Sequence, residues 1–141
     1  MKTIMEAVYD TTPDNLWANV DFHQPSENIM PPIVSSVRTG EGVGARKINT
    51  LAGEGGEVSL MLVYYAPKNH AFNYVIQESP LPVANYVGEV RVTGDGEGQS
   101  KLSWCGTYDA SGAPDEQADE ILRGFYGAIA EKIAEIFPRV T

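Results

Sequence analysis

The last periodic stretch of the chain, residues 118–137, constrains the fold most, because apolar residues recur there at helical spacing. Six of them share the centre of one helical face: Ala118, Leu122, Phe125, Ile129, Ile133 and Ile136. Ile121, Tyr126 and Phe137 flank this stripe, and glutamates dominate the opposite face. A helix over residues 115–137 is therefore predicted. It is about 30 Å long over its apolar stretch, and it needs a large apolar surface to cover it.

Two glycines, Gly124 and Gly127, lie inside this predicted helix. Each costs roughly 1 kcal/mol relative to alanine in a helix interior. Both project beside or away from the apolar stripe, so they are either tolerated surface residues or points where another backbone approaches closely.

The chain before this helix is predicted to be mostly β-strand. Seven segments show alternating or β-branched residues, at positions 3–9, 33–38, 45–51, 58–66, 70–78, 85–93 and 101–108. Two short helical pieces follow the first strand, one after Thr12-Pro13-Asp14 and one over Pro25 to Met30. Consecutive strands joined by short turns predict an antiparallel meander. The expected architecture is α+β, with a curved sheet wrapped around the long helix and a cavity between them.

Composition narrows the function classes. A chain of 141 residues fits one domain, residues 1–141. The net charge of −9, from 10 basic and 19 acidic residues, argues against binding nucleic acid or an anionic membrane surface. No apolar run is long enough for a signal peptide or a membrane span, so no membrane insertion and a cytoplasmic location are expected.

Cofactor and metal sites are not expected from the sequence. The single cysteine, Cys105, has no partner for an internal disulfide, and two histidines with one cysteine give no zinc-ligand spacing. The glycine-rich stretch at residues 39–44 precedes a predicted strand, whereas a phosphate-binding loop needs a helix directly after its glycines. No cofactor and no metal are therefore predicted.

Several local motifs, in this order, resemble one known family. They are Thr12-Pro13 leading to Trp17, Gly42-Val43-Gly44-Ala45-Arg46, Tyr74 before Pro80-Leu81-Pro82 and Tyr86, and Trp104 before the helix carrying Tyr126. Together they resemble small bacterial polyketide cyclase/dehydrase-like (SRPBCC) proteins, within the helix-grip superfamily of START domains and the birch-pollen allergen. The resemblance covers essentially the whole chain. It implies a helix-grip fold that holds a lipid, hormone or aromatic polyketide between sheet and helix.

The candidate ligand-binding residues are mostly aromatic side chains on the inward strand faces and on the helix. They are Trp17, Tyr64, Phe72, Tyr74, Tyr86, Trp104, Tyr108, Phe125 and Ile129, with Arg46 as a candidate partner for a ligand carboxylate. A buried tyrosine must satisfy its hydroxyl, whereas a pocket tyrosine can offer it to a ligand. Pocket lining and plain core filling both remain open for these tyrosines. A shift of one residue in register would exchange Tyr64 for Tyr65.

No catalytic residue is assigned from the sequence. His23 is placed near the expected cavity mouth and His70 begins a strand, but no spacing pairs either with a carboxylate or a serine. Cys105 falls on the strand face opposite Trp104, where it is expected to be inert.

Three functions are consistent with these patterns. The first is a binding protein for a small hydrophobic or aromatic molecule, which needs only an apolar cavity with a few polar anchors. The second is a cyclase or dehydratase acting without a metal on an aromatic or polyketide-like substrate. The third is a protein-interaction domain without a pocket. The expected partner is a small hydrophobic molecule, and a homodimer is also compatible with the sequence.

Overall fold

A computed structural model describes residues 1–141 as one sheet with two α-helices. The strands are β1 (Lys2–Tyr9), β2 (Ile33–Thr39), β3 (Arg46–Leu51), β4 (Glu57–Ala66), β5 (Ala71–Glu78), β6 (Val83–Gly94) and β7 (Ser100–Ala110). The helices are α1 (Pro13–Val20) and α2 (Asp115–Ala134), and short 3-10 helices cover Ser26–Asn28 and Pro67–Asn69. The predicted α+β helix-grip fold is confirmed.

The sheet is fully antiparallel, with the strand order β1-β7-β6-β5-β4-β3-β2. The predicted meander is correct for β2 to β7 but wrong for β1, which pairs with β7 instead of β2. Helix α1 and the 3-10 turn after it carry the chain from one sheet edge to the other. The free edge of β1 is covered by the C-terminal tail, where Val140 N donates to Val8 O at 2.7 Å.

Helix α1 begins as its sequence predicts. The Thr12 hydroxyl accepts a hydrogen bond from Asn15 N at 3.2 Å, and Pro13 occupies the first turn. The apolar side of this short helix, Leu16, Trp17 and Val20, is buried. Helix α1 thereby closes one end of the sheet.

Helix α2 ends at Ala134, three residues before the predicted end. Its buried residues are Ala118, Leu122, Tyr126, Ile129, Ala130 and Ile133. The buried face differs from the predicted stripe. Tyr126, predicted to flank the stripe, is buried, whereas Phe125, predicted at its centre, is only partly buried. Ile121 is 37% exposed and Ile136 is 46% exposed. Ile136 lies beyond the last helical residue, so it no longer follows the helical face that packs on the sheet.

The core lies between the concave face of the sheet and α2. Leu62, Val90, Leu102 and Ile129 are fully buried there. Trp104 packs against α2: it is 2% exposed, and its ring centroid lies 6.3 Å from that of Tyr126. Trp104, Tyr126 and Ile129 also border a cavity.

Candidate functional site

A cavity runs between the concave sheet face, α2 and the segment that follows α1. Its cavity volume is about 60 Å³, and the figure of about 730 Å³ for all the empty space there includes space open to solvent. Of its 24 lining residues, 17 are hydrophobic, so the wall favours an apolar occupant. Its polar side chains include three tyrosines at one place and a lysine with an asparagine at another.

The structure places six of the ten predicted binding residues on the cavity wall: Phe72, Tyr74, Tyr86, Trp104, Phe125 and Ile129. They come from strands β5, β6 and β7 and from α2. The inward alternation of those strands is therefore as the sequence predicts.

Tyr64 and Arg46 lie outside the cavity, on the outer face of the sheet. A register shift between Leu62 and Tyr64 interrupts the alternation of β4, so that Val63 and Tyr64 are both exposed. Tyr64 lies under the Arg91 guanidinium, 5.7 Å from its carbon. On β3, the inward positions belong to Lys47 and Asn49, which leaves Arg46 exposed.

Trp17 and Tyr108 are buried but do not line the cavity. Trp17 packs between the rings of Tyr65, His70 and Phe72. The Tyr108 hydroxyl shares a hydrogen bond of 2.7 Å with Thr3 Oγ1. Both side chains therefore support the neighbouring packing and do not reach the cavity space.

Three tyrosine hydroxyls and one indole meet in the cavity wall, and we call Tyr74, Tyr86, Tyr126 and Trp104 the tyrosine cluster. Trp104 Nε1 donates to the Tyr74 hydroxyl at 3.0 Å, and the Tyr74 and Tyr86 hydroxyls are 2.8 Å apart. The Tyr86 hydroxyl also bonds that of Tyr126. Burial raises the pKa values of all three tyrosines above their usual value, so the hydroxyls stay protonated.

The cluster has one more hydrogen than its internal bonds use. Three hydroxyls and one indole N–H carry four hydrogens, whereas the cluster contains three hydrogen bonds. Depending on the direction of the bonds, the remaining hydrogen lies on Tyr74, Tyr86 or Tyr126. All three side chains line the cavity.

Two glycines make room for the cluster. Gly88 and Gly106 face each other across β6 and β7. A Cβ atom at Gly88 would collide with the Tyr74 ring, and one at Gly106 would collide with the Tyr126 hydroxyl and the Tyr86 ring. This close approach explains why these two inward positions hold glycine.

Lys47 and Asn49 form a second polar part of the wall, which the sequence interpretation missed. Lys47 is 4% exposed, and its Nζ donates to Gln24 O at 2.8 Å and to Ser26 Oγ at 3.3 Å. Burial lowers the pKa of Lys47 from 10.5 to about 8. The inward direction of these two side chains follows from the pairing of β3 with β4. Lys47 and Asn49 lie opposite Leu60 and Val58, which are inward residues of the most hydrophobic strand.

Both histidines have carboxylate partners that the sequence spacing did not reveal. His23 Nδ1 lies 3.0 Å from Asp21 Oδ1, and His23 Nε2 accepts from Gly42 N at 3.1 Å. Asp21 Oδ2 also accepts from the Tyr65 hydroxyl at 2.9 Å. His70 Nε2 lies 3.0 Å from Asp14 Oδ1. Neither histidine borders the cavity.

Cys105 is buried, and burial raises the pKa of its thiol. No group of three or more His, Cys, Asp or Glu side chains is arranged to hold a metal ion. Neither α-helix combines the length and the apolar character needed to cross a bilayer.

Residues 3–138 match the model of one protein family, described as polyketide cyclase/dehydrase and lipid transport. The chain belongs to this polyketide cyclase/dehydrase family. The match covers nearly the whole chain, and the resemblance to SRPBCC proteins stated from the sequence motifs is confirmed. Among curated proteins, no sequence matches the chain significantly.

Solved structures share the fold of this family member. XoxI from Bacillus cereus is similar with a TM-score of 0.88 and 23% identity, over 96% of this chain and 94% of that one. Norcoclaurine synthase from Thalictrum flavum is similar with a TM-score of 0.70 and 14% identity, over 96% and 85%. At these identities the likeness concerns the fold alone.

A third similar structure is the di-domain aromatase/cyclase BexL from the BE-7585A biosynthetic pathway. Its TM-score is 0.76 at 18% identity, and the match covers 94% of this chain but 46% of BexL. The family member described here thus corresponds in length to about one of the two BexL domains.

Proposed function

We propose that this protein binds a small, mostly apolar and aromatic molecule in the cavity between the sheet and α2. The observation that carries the proposal is the cavity itself, whose wall is largely hydrophobic but contains the tyrosine cluster with its spare hydroxyl hydrogen. A bound molecule with a carbonyl oxygen near the cluster would accept that hydrogen. Membership of the polyketide cyclase/dehydrase family supports the same class of ligand.

The aromatic lining favours a flat ligand over a flexible chain. Phe72 and Tyr74 have ring centroids 6.1 Å apart, and Phe72 and Trp104 have centroids 6.5 Å apart in an edge-to-face arrangement. Neighbouring rings at these distances offer both faces and edges to an aromatic occupant.

The alternative functions have less support. A cyclase or dehydratase needs a group that takes up a proton. The buried tyrosines, with their raised pKa values, do not, Lys47 with a pKa of about 8 is mostly protonated at neutral pH, and Asp21 is held by His23 and Tyr65. A pocketless interaction domain would not require an apolar cavity. Ligand binding is therefore the function that the geometry supports best.

Titration with the neutral fluorophore 1-aminoanthracene tests this proposal. An apolar, aromatic cavity should increase and blue-shift its emission in a saturable manner, with one site per chain. Emission that rises linearly, without saturation, would contradict the proposal.

Two tryptophan substitutions test where the fluorophore binds. Ile76 lines the cavity on β5, so Ile76→Trp should fill part of the space and weaken binding. Ile48 lies on the outer face and is 42% exposed, so Ile48→Trp is the matched control and should bind as the wild type does. Equal affinity of both variants would show that the fluorophore binds elsewhere.

A further inference from the structure

We propose that Lys47 and Asn49 form a head-group site in the cavity and that the natural ligand carries a carboxylate which binds there. The inference rests on the proposed function, since it adds a polar head to the apolar molecule in the same cavity. Both side chains line the cavity, two residues apart on the inward face of β3.

Lys47 is a buried cation with no carboxylate close enough to form an ion pair. It forms no salt bridge, and its Nζ has a carbonyl, a hydroxyl and the face of the Phe22 ring, at 4.5 Å, as neighbours. Two of the three ammonium hydrogens are used by Gln24 O and Ser26 Oγ. One hydrogen remains, and buried charges are normally paired with an opposite charge.

The two carboxylates whose charges act on Lys47 are already engaged. Asp21 accepts from His23 and from the Tyr65 hydroxyl, and Glu27 accepts from the Ser36 hydroxyl. The protein therefore provides acceptors for two of the ammonium hydrogens of Lys47, while the carboxylates of Asp21 and Glu27 bond to other groups. A ligand carboxylate would complete this environment.

Asn49 provides an independent observation at the same place. It is 2% exposed, and its buried Oδ1 atom has no hydrogen-bond partner. An unpaired polar group in this position costs free energy unless something binds to it. The Asn49 amide lies on the same strand face as Lys47, and its Nδ2 hydrogens can donate to a carboxylate, whereas Oδ1 is an acceptor and needs a donor such as a ligand hydroxyl.

The occupant is therefore an amphipathic acid. Its carboxylate accepts hydrogen bonds from Lys47 Nζ and from the Asn49 amide, and its apolar body extends along the wall formed by Leu60, Phe72 and Trp104. A second oxygen near the tyrosine cluster can accept the spare hydroxyl hydrogen. The ligand class is an aromatic or alicyclic monocarboxylic acid.

The test compares 2-naphthoic acid with 2-naphthamide, each displacing 1-aminoanthracene from the protein at neutral pH. The two probes have nearly the same shape, but only the acid carries a charge. On the wild type the acid should bind at least about tenfold more tightly, as expected for a charge-assisted hydrogen bond. Equal affinities, or tighter binding of the amide, would overturn the proposal without any variant being needed.

Variants assign the preference to the head-group site. Lys47→Met keeps most of the length of the side chain but removes its charge, so the ratio of acid affinity to amide affinity should fall to about one. Arg46→Met removes the same charge from the adjacent, exposed position and should retain the full preference. Asn49→Leu should weaken acid binding severalfold, and it serves as the second test if Lys47→Met does not fold.

Failure of this inference is distinguishable from failure of the proposed function. Saturable 1-aminoanthracene binding without a preference for the acid removes only the head-group site. No saturable binding by the wild type removes the ligand-binding proposal as well. A preference for the acid that survives Lys47→Met would contradict the assignment to Lys47.

Discussion

Tyr86 is the central hydroxyl of the tyrosine cluster, because it bonds both Tyr74 and Tyr126. Tyr86→Phe keeps the ring but leaves the two outer hydroxyls without their shared partner. We expect the free energy of unfolding to fall by roughly 1–3 kcal/mol, the usual cost of buried hydroxyls left unpaired. Urea denaturation measures this loss. Tyr64→Phe, at an exposed position, is the control and should change stability little.

Lys47 should give the protein a specific dependence of stability on pH. Its pKa is about 8 in the folded chain, against 10.5 as the ordinary value. Between these values the unfolded chain holds a proton that the folded chain has released, so the Lys47 contribution to stability rises with pH in this window. The burial effect dominates, while Asp21 and Glu27 favour the charged form and Arg38 opposes it.

The measurement is the unfolding free energy of Lys47→Met relative to the wild type at several pH values. The difference should shift in favour of the wild type by on the order of 3 kcal/mol between about pH 7 and pH 10.5, as a pKa shift of this size requires. Arg46→Met should show a nearly constant difference. A constant difference for Lys47→Met would mean that its ammonium is not desolvated.

At the residue scale, the sequence predicted some inward positions and missed others for local reasons. Tyr74, Tyr86 and Trp104 lie on strands with regular alternation, and the structure places them on the cavity wall. Tyr64 follows a register shift that pattern analysis does not detect. On β3, Lys47 and Arg46 are adjacent cations, and only the pairing of β3 with β4 decides which one is buried.

The paired strands β6 and β7 depend on glycine at the point where the cluster crosses them. In Gly88→Ala the new methyl group would collide with the Tyr74 ring, which is buried. We expect a loss of about 1–3 kcal/mol, as for other overpacked cores, measured by thermal or urea unfolding. Unchanged stability would show that Tyr74 can move away without cost.

Helix α2 offers the opposite case. Gly124 is exposed, and a Cβ atom there would meet nothing within 4 Å. Gly124→Ala should stabilise the protein by up to about 1 kcal/mol, because alanine has the higher helix propensity. The same unfolding experiments measure it. A loss of stability would indicate that another backbone approaches this face, as the alternative interpretation of the glycines holds.

At the element scale, helices and strands were predictable because their periodicities are regular and their caps are local. Thr12-Pro13 begins α1, and acidic residues begin α2. The position of β1 beside β7 was not predictable from short-range patterns, since it depends on a connection across the whole sheet. The helix end at Ala134 precedes the stop residue Pro138, because the intervening residues turn towards the tail that pairs with β1.

For the whole molecule, the fold and the family could be predicted from the order of several weak motifs. The polar cavity residues Lys47 and Asn49 could not be predicted in this way. Lys47 donates to Gln24 and Ser26, which lie about twenty residues earlier in the chain. Such a site exists only after the segment following α1 packs over the sheet. The residues of this site can therefore be identified from the structure but not from the sequence.

The binding of a small aromatic molecule in this cavity is tested most directly by NMR of the two tryptophan indoles. Trp104 Nε1–H belongs to the tyrosine cluster on the cavity wall, whereas Trp17 is buried outside the cavity and serves as an internal control. On titration with 2-naphthamide, the Trp104 indole signal should shift and saturate while the Trp17 signal stays nearly constant. A Trp104 signal that does not move while the ligand saturates the protein would contradict binding between the sheet and α2.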